Sequence, residues 1–279
     1  MRGGGYQVTL LAPAPSGAAL RGEGLSEVQR LLDWERADVA ALLAGDGSLP
    51  ESLRCDLAGH NLALAFTRTD SVVRSLRAVV PRLLSRDPHP PPGVPAARWL
   101  AALLEELGLD AATAPPLCSA TPEEEQRAHA FSQRLAEGFL ALHPGSGSPL
   151  KKWPATLFAD LVDRLRPPEP WLVVCGPADA EAAAPLRARA GVVVAEGLPV
   201  RVLGALLARA GLFVGNDSGV SHLAAAWGAP TVALFGPTDA GIWAPDGPRV
   251  RTAQSRTGEM TGITVDDVLS AIAAVKQTR

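Results

Sequence analysis

The chain has 279 residues, of which 47% are hydrophobic and 20% charged, and its formal net charge is −3 at pH 7. This length accommodates two domains with separate cores, and the small negative charge gives no electrostatic reason to expect a nucleic-acid partner. The three cysteines, Cys55, Cys118 and Cys175, are far apart and form no C-x-x-C pair. Neither a zinc site nor a disulfide framework is therefore indicated, and a reducing cytoplasm fits this cysteine content.

The first apolar stretch, residues 8–14, follows Arg2 and is interrupted by Pro13. It is too short for the apolar region of a signal peptide, so we expect a strand at 7–11 and a cytoplasmic protein. No apolar run anywhere in the sequence approaches the roughly 18 residues that span a bilayer.

The first half alternates short apolar runs with helical segments. Strands are predicted at 7–11, 28–32, 61–66 and 82–85, and helices at 36–43, 71–80, 96–107 and 122–136. The last of these helices has a strong start, with Thr121 as N-cap, Pro122 at the first position and acidic residues after it. The Pro-rich segment 87–95 is predicted to be a loop.

The second half repeats the alternation more regularly. Strands are predicted at 139–142, 171–175, 192–195, 212–214 and 231–235, and helices at 155–165, 180–190, 200–210, 218–227 and 265–275. Such alternation is typical of parallel α/β units. We place the domain boundary between residues 137 and 138, which gives an N-terminal domain at 1–137 and a C-terminal domain at 138–279.

Four strands of the second half end in small or polar clusters. In open parallel sheets, ligands bind at the carboxyl ends of the strands. After the first strand come Gly145, Ser146, Lys151 and Lys152, where backbone N–H groups, a hydroxyl and an ammonium can hold a phosphate. A solvated turn beside a lysine pair is the alternative, but cations at a helix start are mildly unfavourable, which favours function.

A second cluster joins a strand to a helix through Gly215-Asn216-Asp217-Ser218-Gly219. A helix N-terminus offers unpaired N–H groups and a positive dipole end to an anion. Ser218 is a good N-cap, and Gly219 lets a ligand approach the backbone. Asp217 would repel an anion, so we expect it to orient the N–H groups of the loop or to meet a ribose hydroxyl; a plain helix cap is the alternative. For His222, the two alternatives are a donor to phosphate and a core histidine.

The other two strand ends are weaker candidates. One carries Gly176, Asp179 and Glu181, whose acids are able to meet a ribose or a base, and the other carries Gly236 and Thr238 as donor-sugar contacts. Acids in a first helical turn and ordinary turn residues are the simpler interpretation of both. No P-loop, dinucleotide fingerprint, H-E-x-x-H or G-x-S-x-G motif occurs, and the missing dinucleotide fingerprint disfavours an oxidoreductase.

Three motifs, taken in order, resemble those of glycosyltransferase family 9, the heptosyltransferases that act on lipopolysaccharide. They are H-P-G-S-G with the following lysine and W-P, then G-N-D-S-G-x-S-H, then A-P-T-V-A-L-F-G-P-T-D. The resemblance implies a GT-B architecture, in which two Rossmann-like domains face each other across a cleft and the C-terminal one holds the nucleotide sugar. It implies inverting transfer of a heptose or related sugar from an ADP-sugar to a lipopolysaccharide-core or other glycan acceptor, without an obligatory metal or other cofactor.

By matching motifs, the resemblance implies that Ser146 and Lys151 are the hydroxyl and the lysine of the phosphate loop. It implies in the same way that the donor is bound by Asp217, Ser218, Gly219 and His222. It also makes the helix at 265–275 a candidate for packing back on the N-terminal domain. The expected partners are a nucleotide sugar and a glycan or lipid-linked glycan, with peripheral contact to the inner membrane and self-association left open.

The N-terminus departs from the family pattern. The strand at 7–11 resembles the family's second strand, and no Gly-Asp pair near the N-terminus stands in for the loop that carries the family's presumed base. The first domain is therefore expected to be incomplete, and three explanations are open. The true start of the protein lies upstream of Met1, the strands have re-paired across the gap, or the protein is a relative that binds nucleotide without transferring sugar. The catalytic base is unassigned, although Asp33 and Asp70 lie at or near strand ends.

Overall fold

The structure is a computed structural model that describes residues 7–20, 28–44, 48–109, 118–177 and 179–277. The described residues form two compact units, one before residue 110 and one from residue 118 onward. The second unit thus includes the helix that follows Thr121, although this helix comes before the boundary predicted between residues 137 and 138.

The elements alternate along the chain much as the sequence pattern predicts. The strands are β1 (Val8–Ala12), β2 (Val28–Asp33), β3 (Leu62–Phe66), β4 (Arg82–Arg86), β5 (Leu140–His143), β6 (Trp171–Cys175), β7 (Val192–Glu196), β8 (Leu212–Asn216), β9 (Thr231–Phe235) and β10 (Val250–Gln254). The helices are α1 (Ala14–Ala18), α2 (Ala41–Ala44), α3 (Glu51–Ala58), α4 (Asp70–Arg77), α5 (Ala96–Ala101), α6 (Pro122–Ser132), α7 (Ala155–Leu165), α8 (Ala180–Arg187), α9 (Val200–Leu207), α10 (Gly219–Ala226), α11 (Ala240–Trp243) and α12 (Val265–Gln277).

The N-terminal unit contains two separate parallel pairs of strands. β1 pairs with β2, β3 pairs with β4, and no ladder joins the two pairs within the described residues. Re-pairing of the strands across a gap, one of the three alternatives above, is therefore absent from this part of the chain. Both pairs contribute to one apolar core, since Leu11 of β1 and Leu83 of β4 pack against a buried cluster that includes Ala65 and Leu76.

The C-terminal unit is built on a six-stranded, fully parallel sheet in the order β10-β9-β8-β5-β6-β7. Every residue of β6, β8 and β9 is buried, which explains why their sequences are continuous apolar runs rather than alternating ones. Apolar residues cover both faces of the sheet, one core containing Trp153, Phe158 and Leu161 and the other Phe139, Phe213 and Trp227. The unit is therefore a three-layer Rossmann-like α/β fold.

Helix α6 belongs to this unit because it packs on α9. Thr121 and Glu124 form a capping box, with the Thr121 N–H donating to the Glu124 carboxylate and the Glu124 N–H to the Thr121 hydroxyl. The same carboxylate accepts from the buried guanidinium of Arg201 on α9 at 2.7 and 3.0 Å. Arg201 also donates to the Ser119 carbonyl and lies over the Trp227 ring, so a polar pair and an apolar contact together fix α6.

We expect Glu124→Gln to lower the free energy of unfolding by about 1–3 kcal/mol, because the buried guanidinium of Arg201 loses its counter-charge. Desolvation raises the pKa of Glu124, but hydrogen bonds from Arg201 and Thr121 outweigh it and hold this pKa below the usual value. The ion pair therefore stabilises the protein fully above the carboxyl's unfolded pKa, and this contribution is lost as pH falls through the lowered folded pKa.

Urea unfolding of wild type and variant at neutral and acid pH measures both effects. The matched control is Glu123→Gln, which changes the exposed neighbour on the same helix. Equal losses in the two variants would contradict the assignment of Glu124 as the anchor of α6.

The last helix, α12, uses its apolar side within the C-terminal unit. Its buried residues Val265, Val268, Ile272 and Val275 join the same core as Trp153 and Phe158. The helix packs against α7, β9 and β10. The helix predicted at 265–275 as a candidate for packing on the N-terminal domain is thus anchored in the core of the C-terminal unit.

Candidate functional site

The C-terminal sheet has its topological switch point between β5 and β8. From β5 the chain proceeds outward to β6 and β7, then returns to the other side of β5 to form β8, β9 and β10. The two central strands pair in register, with Leu142 beside Val214 and His143 beside Gly215. The loops that follow β5 and β8 therefore start side by side at the carboxyl edge, where open α/β sheets bind ligands.

Three loops meet at the carboxylate of Asp217. Lys151, at the end of a short 3₁₀ turn (Pro149–Lys151), places its Nζ 2.7 Å from Asp217 Oδ2. The Thr238 hydroxyl, from the loop after β9, donates to the same oxygen at 2.7 Å. The Ser146 hydroxyl donates to the Asp217 carbonyl at 3.0 Å. The structure thus brings together Ser146, Lys151, Asp217 and Thr238, all of them predicted site residues.

The Lys151 ammonium keeps capacity for a further anion. Its side chain is 30% exposed, whereas the Asp217 side chain is 9% exposed. An ammonium has three donors, and the contact with Asp217 uses one of them. Lys151 is therefore able to bind a phosphate without leaving the carboxylate that orients it.

Helix α10 presents its N-terminus beside this cluster. Ser218 is extended (φ −157°, ψ 162°) and α10 begins at Gly219. The first N–H groups of a helix have no partner within it, and its dipole makes this end positive. The Ser218 hydroxyl is buried without a hydrogen-bond partner, and nothing lies within 4 Å of where a Cβ on Gly219 would stand. The helix end therefore combines open space with unpaired donors.

His222 lies about one turn into α10 and reaches the surface rather than the core. The surrounding protein still desolvates its ring, which lowers the pKa of His222 below 6.5; Asp217 raises this pKa and Lys151 lowers it. Burial therefore favours the neutral imidazole in the ligand-free protein, and a bound anion would favour its charged form.

Asp179 lies behind the loop that follows β5. It is 5% exposed, and its Oδ2 accepts from the Gly176 N–H at 2.8 Å. A Cβ on Gly145 would collide with this carboxylate, so the absence of a side chain at Gly145 lets the loop pass over it. His143, 4.0 Å from the same carboxylate, has its pKa lowered by burial. Burial of Asp179 favours a supporting role beneath the loop over direct contact with a ribose.

The remaining candidates lie around the cluster. Among the described contacts, neither Glu181 nor Lys152 makes a hydrogen bond to the cluster at Asp217. Glu181 is exposed on α8. Lys152 is close enough to His143 to lower the pKa of that imidazole. Gly236 is buried where a Cβ would strike Met260.

Two amides that the sequence analysis did not single out hold the loops in place. Gln254 at the end of β10 donates to the carbonyls of Phe235 and Gly236 and accepts from the Ala240 N–H, which fixes the loop carrying Thr238. Asn216 does the same for the loop after β5. No local signal marks either one, because their partners lie 14 to 72 residues away in sequence.

The two acids of the N-terminal unit differ in their surroundings. Asp33 Oδ1 accepts from the backbone N–H groups of Ala14 and Glu35, at 3.2 and 3.0 Å, and so fixes a turn. Asp70 is the first residue of α4. Neither geometry assigns a catalytic base.

The described residues carry neither a metal-binding cluster nor a membrane-spanning helix. No group of three or more His, Cys, Asp or Glu side chains in them is arranged to hold a metal ion. None of the helices they form has both the length and the apolar character needed to cross a bilayer.

Several solved glycosyltransferase structures share this fold. A family 9 glycosyltransferase of Veillonella parvula superposes with a TM-score of 0.77 at 17% identity, covering 98% of this chain and 89% of its own. The ADP-heptose lipopolysaccharide heptosyltransferase II of E. coli superposes with a TM-score of 0.74 at 22% identity, covering 98% of this chain and 90% of its own. The E. coli heptosyltransferase WaaC, solved with ADP, superposes with a TM-score of 0.71 at 18% identity, covering 97% of this chain and 91% of its own. These similarities confirm the predicted GT-B fold class.

Comparison with curated proteins gave no significant match. The model of glycosyltransferase family 9 (heptosyltransferase), however, matches residues 74–270, which is more than half of the chain and includes every predicted site residue. The protein therefore belongs to glycosyltransferase family 9, the family predicted from its sequence motifs.

Proposed function

We propose that this protein is an inverting glycosyltransferase that moves a heptose or related sugar from an ADP-sugar to a glycan acceptor such as a lipopolysaccharide core. The observation that carries the proposal is the convergence, at the switch point of one sheet, of the Lys151 ammonium, the Ser146 and Thr238 hydroxyls and the N-terminus of α10. Fixed donors and positive charge at a strand edge are the features that bind a diphosphate.

The same groups would assist the reaction. As an acceptor hydroxyl attacks the anomeric carbon, negative charge grows on the departing diphosphate. Lys151 and the first N–H groups of α10 are already in place to stabilise that charge, so no reorganisation is needed during the step. We expect no obligatory metal, and the base that takes the acceptor's proton is unassigned.

Two of the structurally similar proteins support the choice of donor. One is named for ADP-heptose and the other was solved with ADP. By analogy we assign a cytoplasmic location, a glycan or lipid-linked glycan acceptor and peripheral contact with the inner membrane. Self-association is a further proposal, because each strand of the β1-β2 and β3-β4 pairs has one unpaired edge within the described residues.

A second candidate function is nucleotide-sugar binding without transfer. It is favoured by the surroundings of Asp33, whose Oδ1 accepts from two backbone N–H groups and so fixes a turn.

Calorimetric titration with ADP and ADP-heptose, followed by an assay of ADP release with lipopolysaccharide core acceptor, separates the two functions. Binding together with acceptor-dependent ADP release supports the transferase. Binding without any release leaves only the second candidate, and failure to bind either nucleotide would overturn both.

We expect ADP binding to be accompanied by proton uptake at His222. Its pKa is lowered in the free protein and rises when a diphosphate lies nearby, so affinity gains from a fall in pH through the bound-state pKa and levels off below the free-state pKa. Calorimetry in buffers of different ionisation enthalpy measures the uptake near pH 7.

His222→Gln provides the control for this uptake, because ADP itself also titrates near neutral pH. The uptake assigned to the protein is the difference between wild type and variant at the same pH. Identical proton uptake in the two would show that His222 does not sense the ligand.

A further inference from the structure

Asn216 is the last residue of β8 and has no exposed surface. Its Nδ2 donates to the carbonyl of Pro144 at 2.8 Å and, more weakly, to that of Gly145 at 3.4 Å. Its Oδ1 accepts from the Trp153 N–H at 3.0 Å. All hydrogen-bonding groups of the buried carboxamide are therefore used, and all its partners are backbone groups.

These partners lie at the two ends of one loop. Pro144 and Gly145 directly follow β5, and Trp153 comes just before α7. Between them lie Ser146 and Lys151, which contact Asp217, the residue next to Asn216. A single side chain thus closes the loop that carries both proposed phosphate ligands and ties it to the strand that leads into α10.

The requirement at this position is chemical rather than steric. A carboxamide donates on one side and accepts on the other, as two carbonyls and an N–H demand. An aspartate has the same shape but would turn a carboxylate oxygen toward the two carbonyls. A serine fits without repulsion but is too short to bridge both ends.

We propose that Asn216 is a positioning residue for the diphosphate site, holding the loop 144–153 so that Ser146 and Lys151 face the N-terminus of α10. This proposal rests on the proposed function for its ligand. It adds that the spacing of the two phosphate ligands is set by a residue that does not itself touch the nucleotide.

The test is the pH dependence of ADP affinity in N216D, with N216S as a second variant that keeps the volume small and adds no charge. Near pH 8 we expect both variants to bind ADP about 10- to 100-fold more weakly than wild type, as for loss of a buried polar contact. As pH falls, the buried carboxyl of N216D takes up a proton, regains an O–H donor for the Pro144 carbonyl, and recovers affinity relative to wild type.

N216S has no such group, so its deficit stays constant with pH. N61D provides the matched control, since Asn61 is exposed and its change to aspartate leaves the affinity ratio unchanged. A ligand-independent readout is amide exchange of Trp153, whose N–H is protected by Asn216 in wild type and exchanges faster in both variants.

Wild-type ADP affinity in both variants, or an unchanged Trp153 exchange rate, would overturn the positioning role. A wild-type protein that binds no ADP would instead overturn the proposed function, and Trp153 exchange alone would then decide whether Asn216 holds the loop.

Discussion

Replacing Lys151 with alanine is expected to weaken ADP binding about 100-fold, the largest effect of any single side chain in the site. Loss of a charge-assisted hydrogen bond to the diphosphate contributes about 1.5–3 kcal/mol. A second contribution comes from Asp217, whose largely buried carboxylate loses its 2.7 Å partner and then faces the anion directly. About 1.4 kcal/mol corresponds to a tenfold change in affinity, so the two effects together reach this magnitude.

Lys152→Ala is the matched control, because the neighbouring lysine makes no contact with Asp217 among the described hydrogen bonds and is expected to change ADP affinity little. The double variant Lys151→Ala with Asp217→Ala separates the two contributions in a double-mutant cycle. If repulsion from Asp217 matters, the double variant binds ADP more tightly than Lys151→Ala alone. An unchanged ADP affinity in Lys151→Ala would reject the phosphate-loop assignment.

A methyl group on Gly145 is expected to cost about 10- to 100-fold in ADP affinity, the range that corresponds to 1–3 kcal/mol of overpacking. The added Cβ would collide with the carboxylate of Asp179. That carboxylate is short, buried and bonded to the Gly176 N–H, so it cannot move aside. The loop has to shift instead, and the Ser146 hydroxyl shifts with it.

Two further variants test this explanation by calorimetry. Gly147→Ala places the same methyl group two residues later, where nothing lies within 4 Å, and should leave ADP affinity nearly unchanged. Adding Asp179→Ala to Gly145→Ala removes the obstacle and should restore part of the lost affinity. A double variant that binds no better than Gly145→Ala would show that the collision with Asp179 is not the cause.

The second half of the chain was predictable at the level of elements because its four inner strands are buried on both faces. Such strands are continuous apolar runs followed by Gly, Pro or Asp, and the edge strand β7 also carries an apolar run, so all five of the predicted strands are present in the structure. β10 was missed because its sequence includes Arg251, Thr252 and Gln254 and it lies at the edge of the sheet, where burial does not impose an apolar pattern.

Prediction was less successful in the N-terminal unit. The helix predicted at 36–43 is mostly turns, with only Ala41–Ala44 helical, and α3 was missed. α3 begins after Pro50 and carries charged residues through its length, so its apolar stripe is reduced to Leu53 and Leu57. The helix predicted at 96–107 ends at Ala101 and continues only as a 3₁₀ turn, Glu105–Leu107.

The side chains that meet at Asp217 could be predicted from the sequence, but the residues that hold their loops in place could not. Lys151 and Ser146 stand in a Gly/Ser-rich loop, and Ser218–Gly219 stand at a strand-to-helix junction, so local chemistry indicates them. Asn216, Gln254 and the inward turn of Asp179 depend on backbone groups brought close only by the folded sheet. A carboxylate beside a glycine turn has the same local sequence whether it faces a ribose or the core.

The strand order of the C-terminal sheet also determines when the site forms during folding. β5 is completed at His143, but its partner β8 begins only at Leu212, and the loop that carries Thr238 is held by Gln254 on β10. Pairing across such a separation must overcome the entropy of closing a long segment, which makes it a slow step. During synthesis the β5 loop therefore emerges long before Asp217, and the unit has to complete nearly its whole length before the proposed nucleotide site is assembled.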